Sequence, residues 1–269
     1  MSSGGRQRAG STALDVLAPL ALIAVLIAAW QVAATEEWIA DALSLEPFLV
    51  PAPADVWSAL IDNWGLLMDN AWVTLTEMLV GFAVALAIGI AFALTLHLSP
   101  LLSRAFYPLI VASQTVPLVV LAPIFVVWLG FGIGPKVAII ALICFFPITV
   151  TMLDGLGSVG EPPRKMMRSL GASRWQTLWK LEVPASLPYL ASGAKISIAI
   201  AAIGAVFGEW AGSDEGLGHL ILIDNAQLEV ARQFAAIFVL ALMAMALFAL
   251  VAVLERFGWW RRGPGGVAR

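Results

Sequence analysis

Six apolar runs of about 20 residues constrain this chain more than any other feature, because each is long enough to cross a bilayer as a helix rising ~1.5 Å per residue. They cover about 14–34, 75–97, 105–129, 136–153, 189–208 and 233–255. With 61% hydrophobic and only 12% charged residues among 269, one aqueous core cannot bury this much apolar surface. The expected class is an all-α polytopic membrane protein with six transmembrane helices. The first run follows Arg6 and Arg8. It exceeds a signal-peptide core in length and lacks a small-residue cleavage site after it, so it reads as a retained span.

Lys and Arg placement orients the spans. The segment 35–73 holds Glu36, Glu37, Asp41, Glu46, Asp55, Asp62 and Asp69 with no Lys or Arg, and is expected outside. The segment 154–188 carries Arg164, Lys165, Arg168, Arg174 and Lys180 and is expected in the cytoplasm. The loop 209–232 is mostly acidic and placed outside. The tail with Arg256, Arg261, Arg262 and Arg269 is placed inside. The expected organisation is a cytoplasmic tail at 1–13, a first span at 14–34, an extracytoplasmic segment at 35–73, a core of five spans at 74–256 and a cytoplasmic tail at 257–269. Trp30, Trp38, Trp57, Trp64, Trp72, Trp128, Trp210, Trp259 and Trp260 fall near span ends, as interfacial indoles do. Val56, Trp57, Leu60, Trp64 and Leu67 recur at helical spacing. They predict an amphipathic helix over 54–68, either lying on the membrane or packed on the bundle.

Several chemistries are missing. The glycine-rich turn from Gly130 to Lys136 does not close as a P-loop. Gly155-Leu156-Gly157-Ser158-Val159-Gly160 matches G-x-G-x-x-G but follows a membrane helix instead of a strand, so the dinucleotide-binding context is absent. No metalloprotease or serine-hydrolase motif occurs, the two histidines His97 and His219 lie far apart, and Cys144 is alone. The expectation is no enzyme, no catalytic residue, no metal site and no bound cofactor; the acidic net charge of −3 also argues against a nucleic-acid partner. Lys195 is close enough to its span end to snorkel, and Glu77 sits at the outer end of the second span. No mid-bilayer ion relay is legible, so the chain carries no evident energy source of its own.

The segment after the fourth span is the informative one. Residues 164–170 have helical character after Pro162-Pro163, Gly171 suits a helix-ending turn at positive φ, and Ser173 suits the cap of a second helix running to about Lys180. Pro184 and Pro188 are expected to stop that helix before the fifth span. Met166, Met167, Leu170, Trp175, Leu178 and Trp179 make it too apolar for a solvated connection, which points to docking on a partner.

This segment resembles the E-A-A-x-x-x-G-x9-I-x-L-P loop of ABC importer permeases. Gly171, Leu181, Val183 and Pro184 occupy the Gly, Ile, Leu and Pro places, while Lys165-Met166-Met167 replaces the opening Glu-Ala-Ala. The likeness extends along most of the chain. Leu49-Val50-Pro51-Ala52-Pro53-Ala54-Asp55-Val56 is similar to the start of the nitrate, sulfonate and taurine permease group, as are Thr74-Leu75 and Gly81-Phe82. Ala112-Ser113-Gln114-Thr115-Val116-Pro117, Cys144-Phe145-Phe146-Pro147 and Gly208-Glu209-Trp210 look most like the subgroup importing pyrimidine thiamine precursors or riboflavin.

The resemblance implies a type I importer permease working by alternating access. Its partners would be a second permease copy, two cytoplasmic ABC ATPase subunits and an extracytoplasmic solute-binding protein. ATP and Mg would sit on the ATPase, with none on this chain. The solute would be a pyrimidine thiamine precursor or related heterocycle, otherwise a sulfonate, nitrate or taurine. The ATPase-coupling residues would be Lys165, Met166, Met167, Leu170, Gly171, Ala172, Ser173, Arg174, Trp175, Leu181, Val183 and Pro184.

Pro117 and Pro123 interrupt the third run and Pro147 the fourth, each bending or breaking its helix. Gln114, Thr115 and Pro117 are therefore candidates for the translocation path, against the alternative that Gln114 and Thr115 bond helix to helix. Glu209 and Trp210 are candidates for an outer gate or a binding-protein contact, against a solvated acidic turn. Gly81, Ala85, Gly89 and Ala93, and later Gly204, Gly208 and Gly212, form small-residue faces for close helix packing. A self-sufficient ion-coupled transporter or channel is the competing class, and a membrane scaffold a third.

Overall fold

A computed structural model describes residues 6–257, all-helical apart from short turns. The side chains of Arg6 and Arg8, and the tail with Trp259, Trp260, Arg261, Arg262 and Arg269, lie outside the described residues. The helices are α1 (Arg6–Thr35), α2 (Trp38–Leu43), α3 (Pro53–Asp62), α4 (Trp64–Leu98), α5 (Pro100–Ser113), α6 (Leu118–Leu129), α7 (Ile133–Gly157), α8 (Glu161–Ser169), α9 (Arg174–Thr177), α10 (Val183–Gly212), α11 (Leu217–Gln227) and α12 (Val230–Phe257). Among the described residues, five stretches are long and apolar enough to cross a membrane: Leu17–Thr35, Trp64–Leu98, Ile133–Gly157, Arg174–Gly212 and Val230–Phe257. A sixth exists if the bent pair α5 and α6 counts as one.

The chain divides into two compact units, Met1–Leu67 with Ile223–Ile237, and Met68–Leu222 with Phe238–Arg269. In the first, Trp30 of α1 packs against Phe234, with ring centroids 6.0 Å apart. The Gln31 side-chain carbonyl accepts from the Ala54 amide at 3.0 Å, tying α1 to the start of α3. Pro53 opens α3, where its missing N–H costs nothing, and the Asp55 carboxylate accepts from the Ala52 amide at 2.9 Å. Asp224 is fully buried and takes both Nε and Nη2 of Arg232, at 2.9 and 2.7 Å.

The second unit is built on α7 and α10, its most extensive helix pair. Met78 and Ala85 of α4, Ile140, Cys144 and Ile148 of α7, Ile198, Ala201, Ala202 and Ala205 of α10 and Leu247 of α12 share one core. Small residues let the backbones approach. A Cβ on Gly81 would come 2.6 Å from Ile140, one on Gly89 2.7 Å from Ile148, and one on Gly204 3.1 Å from the Ile140 Cα. Both small-residue faces are thus used within the chain, against α7.

Four sequence expectations change. The third run, 105–129, is no straight span, because α5 and α6 meet at 103° across Gln114–Pro117. Pro117 cannot donate, and it steers Val116 away from helical backbone, so the break falls there while Pro123 and Pro147 stay inside continuous helices. Residues 54–68 form no single amphipathic helix. The helix breaks at Asn63, Leu60 and Leu67 turn inward, and Trp57 and Trp64 stay exposed. Pro184 and Pro188 do not stop the helix that begins at Arg174; a π-helical turn over Leu178–Glu182 carries it into α10. That turn shifts the hydrogen-bond register just before Pro184, which then sits in the first turn of α10 where a missing N–H is tolerated. Lys195 gains a partner the sequence did not reveal, its ammonium lying 2.6 Å from the Glu255 carboxylate in the last turn of α12. The acidic stretch 209–232 is no loop, because α10 runs to Gly212, α11 covers Leu217–Gln227 and α12 starts at Val230.

Candidate functional site

The functional candidates gather at the two ends of the second unit and at the α5–α6 break. At one end, α8 begins with Pro162 and Pro163 in its first turn, where proline is favoured, and ends at Ser169 with Leu170 as its C-cap. Gly171 follows at φ +76°, a left-handed backbone that glycine adopts without penalty, and its amide donates to Arg168 at 2.9 Å. Ser173 and Gln176 then cap α9 reciprocally: Ser173 Oγ accepts from the Gln176 amide at 3.2 Å and Gln176 Oε1 accepts from the Ser173 amide at 2.8 Å. This helix–glycine–helix finger needs only four non-helical residues, 170–173.

The finger has an anchored side and a free side. Leu178 is buried with Ala93, Met152 and Leu156, fixing the α9–α10 helix to α4 and α7. Glu182 Oε2 lies 2.9 Å from His97 Nε2, its Oε1 forms an ion pair with Arg164 Nε at 2.7 Å, and Arg174 Nη2 reaches the Leu98 carbonyl at 3.2 Å. Lys165, Met166, Leu170, Gly171, Ser173, Arg174 and Trp175 are exposed, Met167 and Ala172 half-buried. Leu181, Val183 and Pro184 are half-buried and helical, so they support the finger from its base. Lys165 pairs with Glu161 one turn earlier at 2.6 Å.

At the opposite end, a polar network lies almost wholly inside the protein. The Lys136 ammonium donates to Glu77 Oε1 and to Ser213 Oγ, both at 2.6 Å. Glu209 is 1% exposed. Its carboxylate accepts from Thr74 Oγ1 at 2.6 Å and from the Gly218 and His219 amides at the start of α11. Thr74 Oγ1 in turn accepts from the Leu217 amide at 2.8 Å. Gly216, at φ +112°, lies against the Glu209 carboxylate, where any side chain would collide. Glu209 is therefore neither a solvated acidic turn nor a surface contact. It closes α10 onto the N-terminal turn of α11, whose free amides and dipole favour an anion. Trp210 is partly exposed and donates to the Gly218 carbonyl at 2.9 Å.

Sequence reasoning missed Lys136, Ser213 and Asn70, whose Oδ1 accepts from the Gly216 amide at 2.8 Å. Lys136 reads as the end of a glycine-rich turn, and only its spacing two helical turns ahead of Cys144 on a buried face signals burial.

Gln114, Thr115 and Pro117 are exposed at the α5–α6 corner. The Thr115 hydroxyl donates to the Ala112 carbonyl at 2.8 Å and the Gln114 amide nitrogen reaches Ser113 Oγ at 3.5 Å, so among the described residues their bonds close on their own turn and join no other helix. Val84, Ile88, Phe125, Val137, Ala141 and Phe145 line an apolar cavity of about 520 Å³ between α4, α6 and α7.

Comparison with known proteins defines the class. The family described as binding-protein-dependent transport system inner membrane component matches residues 84–257. A probable ABC transporter permease protein of Haemophilus influenzae is 35% identical over 247 residues, 91% of this chain and 98% of that one. The formylaminopyrimidine transport permease ThiX of Halalkalibacterium halodurans is 36% identical over 242 residues, covering 90% and 94%. The riboflavin transport permease RibX of Chloroflexus aurantiacus is 36% identical over 213 residues, covering 78% and 79%. A chain of the inward-facing MetNI methionine ABC transporter superposes with a TM-score of 0.63 at 18% identity, over 72% of this chain and 96% of that one, which shows the fold.

The chain belongs to the binding-protein-dependent transport system inner membrane component family. It is a multi-pass inner-membrane permease subunit of an ABC importer, a transport component and not an enzyme.

Proposed function

We propose that two copies of this chain form a solute pathway that a separate pair of cytoplasmic ATPases opens and closes through the finger around Gly171. The carrying observation is the finger itself. It projects exposed Met166, Leu170 and Trp175 while Leu178 and Glu182, at its junction with α10, fix its base to α4 and α7. A push on the exposed tip is thereby passed to α4, α7 and α10 as one body. ATP and Mg belong to the ATPase subunits, and a binding protein delivers solute at the end that carries Glu209 and Trp210. The finger end and both termini face the cytoplasm, in line with the basic residues around 164–180.

The solute is a small pyrimidine of the thiamine-precursor type. The relatives ThiX and RibX, each 36% identical, support a planar nitrogen heterocycle over sulfonates, since the taurine permease TauC of Escherichia coli is 28% identical. Gln114, Thr115 and Pro117 line the path, their side chains bonded to no neighbouring helix among the described residues.

The test is uptake into proteoliposomes holding this chain, its ATPase and its binding protein. Labelled formylaminopyrimidine is expected to accumulate only with ATP inside. Accumulation of taurine in preference to the pyrimidine would overturn the solute assignment, and equal uptake without ATP would overturn the coupling.

A further inference from the structure

The base of the finger encloses a second, strongly basic cavity. It has a volume of about 480 Å³ and is lined by His97, Arg164, Arg168, Arg174, Thr177 and Glu182. Three guanidinium groups therefore face one carboxylate. That carboxylate is already committed, with Oε1 on Arg164 and Oε2 on His97. Arg174 spends only Nη2, on the His97 and Leu98 carbonyls at the end of α4. The Arg168 side chain makes no hydrogen bond or ion pair among the described residues. The cavity thus holds two positive charges that no side chain among the described residues balances, in a protein whose net charge is −3.

Its position selects the kind of anion. His97 lies in the last turn of the α4 span, and Thr177 and Glu182 lie where the α9–α10 helix enters its own span. The apolar cluster of Ala93, Met152, Leu156 and Leu178 lies beside it on the same helices. Trp179, exposed on the same segment, is of the residue type that settles at the lipid–water boundary. A basic cavity at that depth matches the height of lipid phosphates, and such cavities between transmembrane helices suit anionic headgroups.

We propose that this cavity binds the phosphate of an anionic phospholipid through Arg168 and Arg174. The lipid clamps the end of α8 to the end of α4 and so stiffens the base of the finger. The proposal is independent of the transport reading, because lipid retention is measured without solute, ATPase or binding protein.

The full chain is purified in mild detergent and offered phosphatidylglycerol or phosphatidylcholine, with retained lipid counted by native mass spectrometry. Wild type is expected to retain phosphatidylglycerol preferentially. Arg168→Ala is expected to lose about fivefold of that preference, the effect of one interfacial arginine, and Arg168→Ala with Arg174→Gln more. Arg168→Lys restores much of it. The Arg168 side chain is exposed and unbonded among the described residues, so thermal unfolding of Arg168→Ala in phosphatidylcholine should match wild type and exclude misfolding as the cause. Equal retention of the two lipids overturns the proposal, as does unchanged preference in Arg168→Ala. Displacement of phosphatidylglycerol by millimolar inorganic phosphate would assign the site to a free anion and overturn the lipid source. Loss of a co-purified ATPase from Arg168→Ala with lipid retention intact would assign the arginines to a protein acid group and likewise overturn the lipid source.

Discussion

Lys136 holds its ammonium between the Glu77 carboxylate and the Ser213 hydroxyl, and Glu77 is itself 3% exposed, with Oε2 lacking a hydrogen-bond partner among the described residues. A buried pair of this kind gains little over an apolar pair of equal size, but removing one partner strands the other charge. Glu77→Ala is accordingly expected to lower stability by about 3–5 kcal/mol, while Glu77→Gln with Lys136→Met loses much less. Thermal unfolding of the purified variants in detergent checks both, and equal losses would contradict the pairing. Residue identities alone could not reveal this network. Glu77 and Lys136 are 59 positions apart, each near the end of an apolar run where a solvated charge is the ordinary expectation. Only the crossing of α4 and α7, set by Gly81 against Ile140, brings them together. Glu209 was legible as a candidate but not as a buried one, because its three donors come from Thr74 and from the backbone of α11.

At the scale of elements, local chemistry wrote the finger plainly. Prolines open α8, a glycine ends it, and a Ser–Gln capping pair starts α9, all readable in order along the chain. What followed was not legible. A proline after a short helix ordinarily signals a stop, and the π turn at Leu178–Glu182 that carries the helix past Pro184 has no sequence signature. The 103° corner at Gln114–Pro117 was legible as a break but not as an angle, which depends on where α6 packs against α7 and α10. The finger supplies the prediction that belongs at this scale. Gly171 has no atom near its missing Cβ, so a larger side chain meets no clash there and suffers only the left-handed backbone, about 1–2 kcal/mol. Gly171→Val is expected to leave membrane insertion unchanged while lowering ATP-driven uptake at least about tenfold, the factor that 1.4 kcal/mol of misplacement represents. Normal uptake by a normally inserted variant would show that the turn has no part in coupling.

For the molecule as a whole, the apolar runs foretold five of the helices that can cross a membrane, and the broken α5–α6 pair stands where the sixth was expected. The sidedness follows from charge placement and has a direct check. Cys144 is the sole cysteine and is buried, so single cysteines can be added against a quiet background. Lys165→Cys on exposed α8 is expected to react with a membrane-impermeant maleimide only from the cytoplasmic face, and Asp69→Cys only from outside. The reverse pattern would invert the topology and remove the finger from any cytoplasmic partner.

The central claim is that this permease takes its energy from a separate ATPase. The most direct measurement is to draw the chain from its native membranes in mild detergent and identify by mass spectrometry what accompanies it. Co-purification of a P-loop ATPase, lost in variants that truncate the exposed tip at Met166, Leu170 and Trp175, is the predicted result. A chain that comes down alone, and that moves solute in liposomes without ATP, would contradict it.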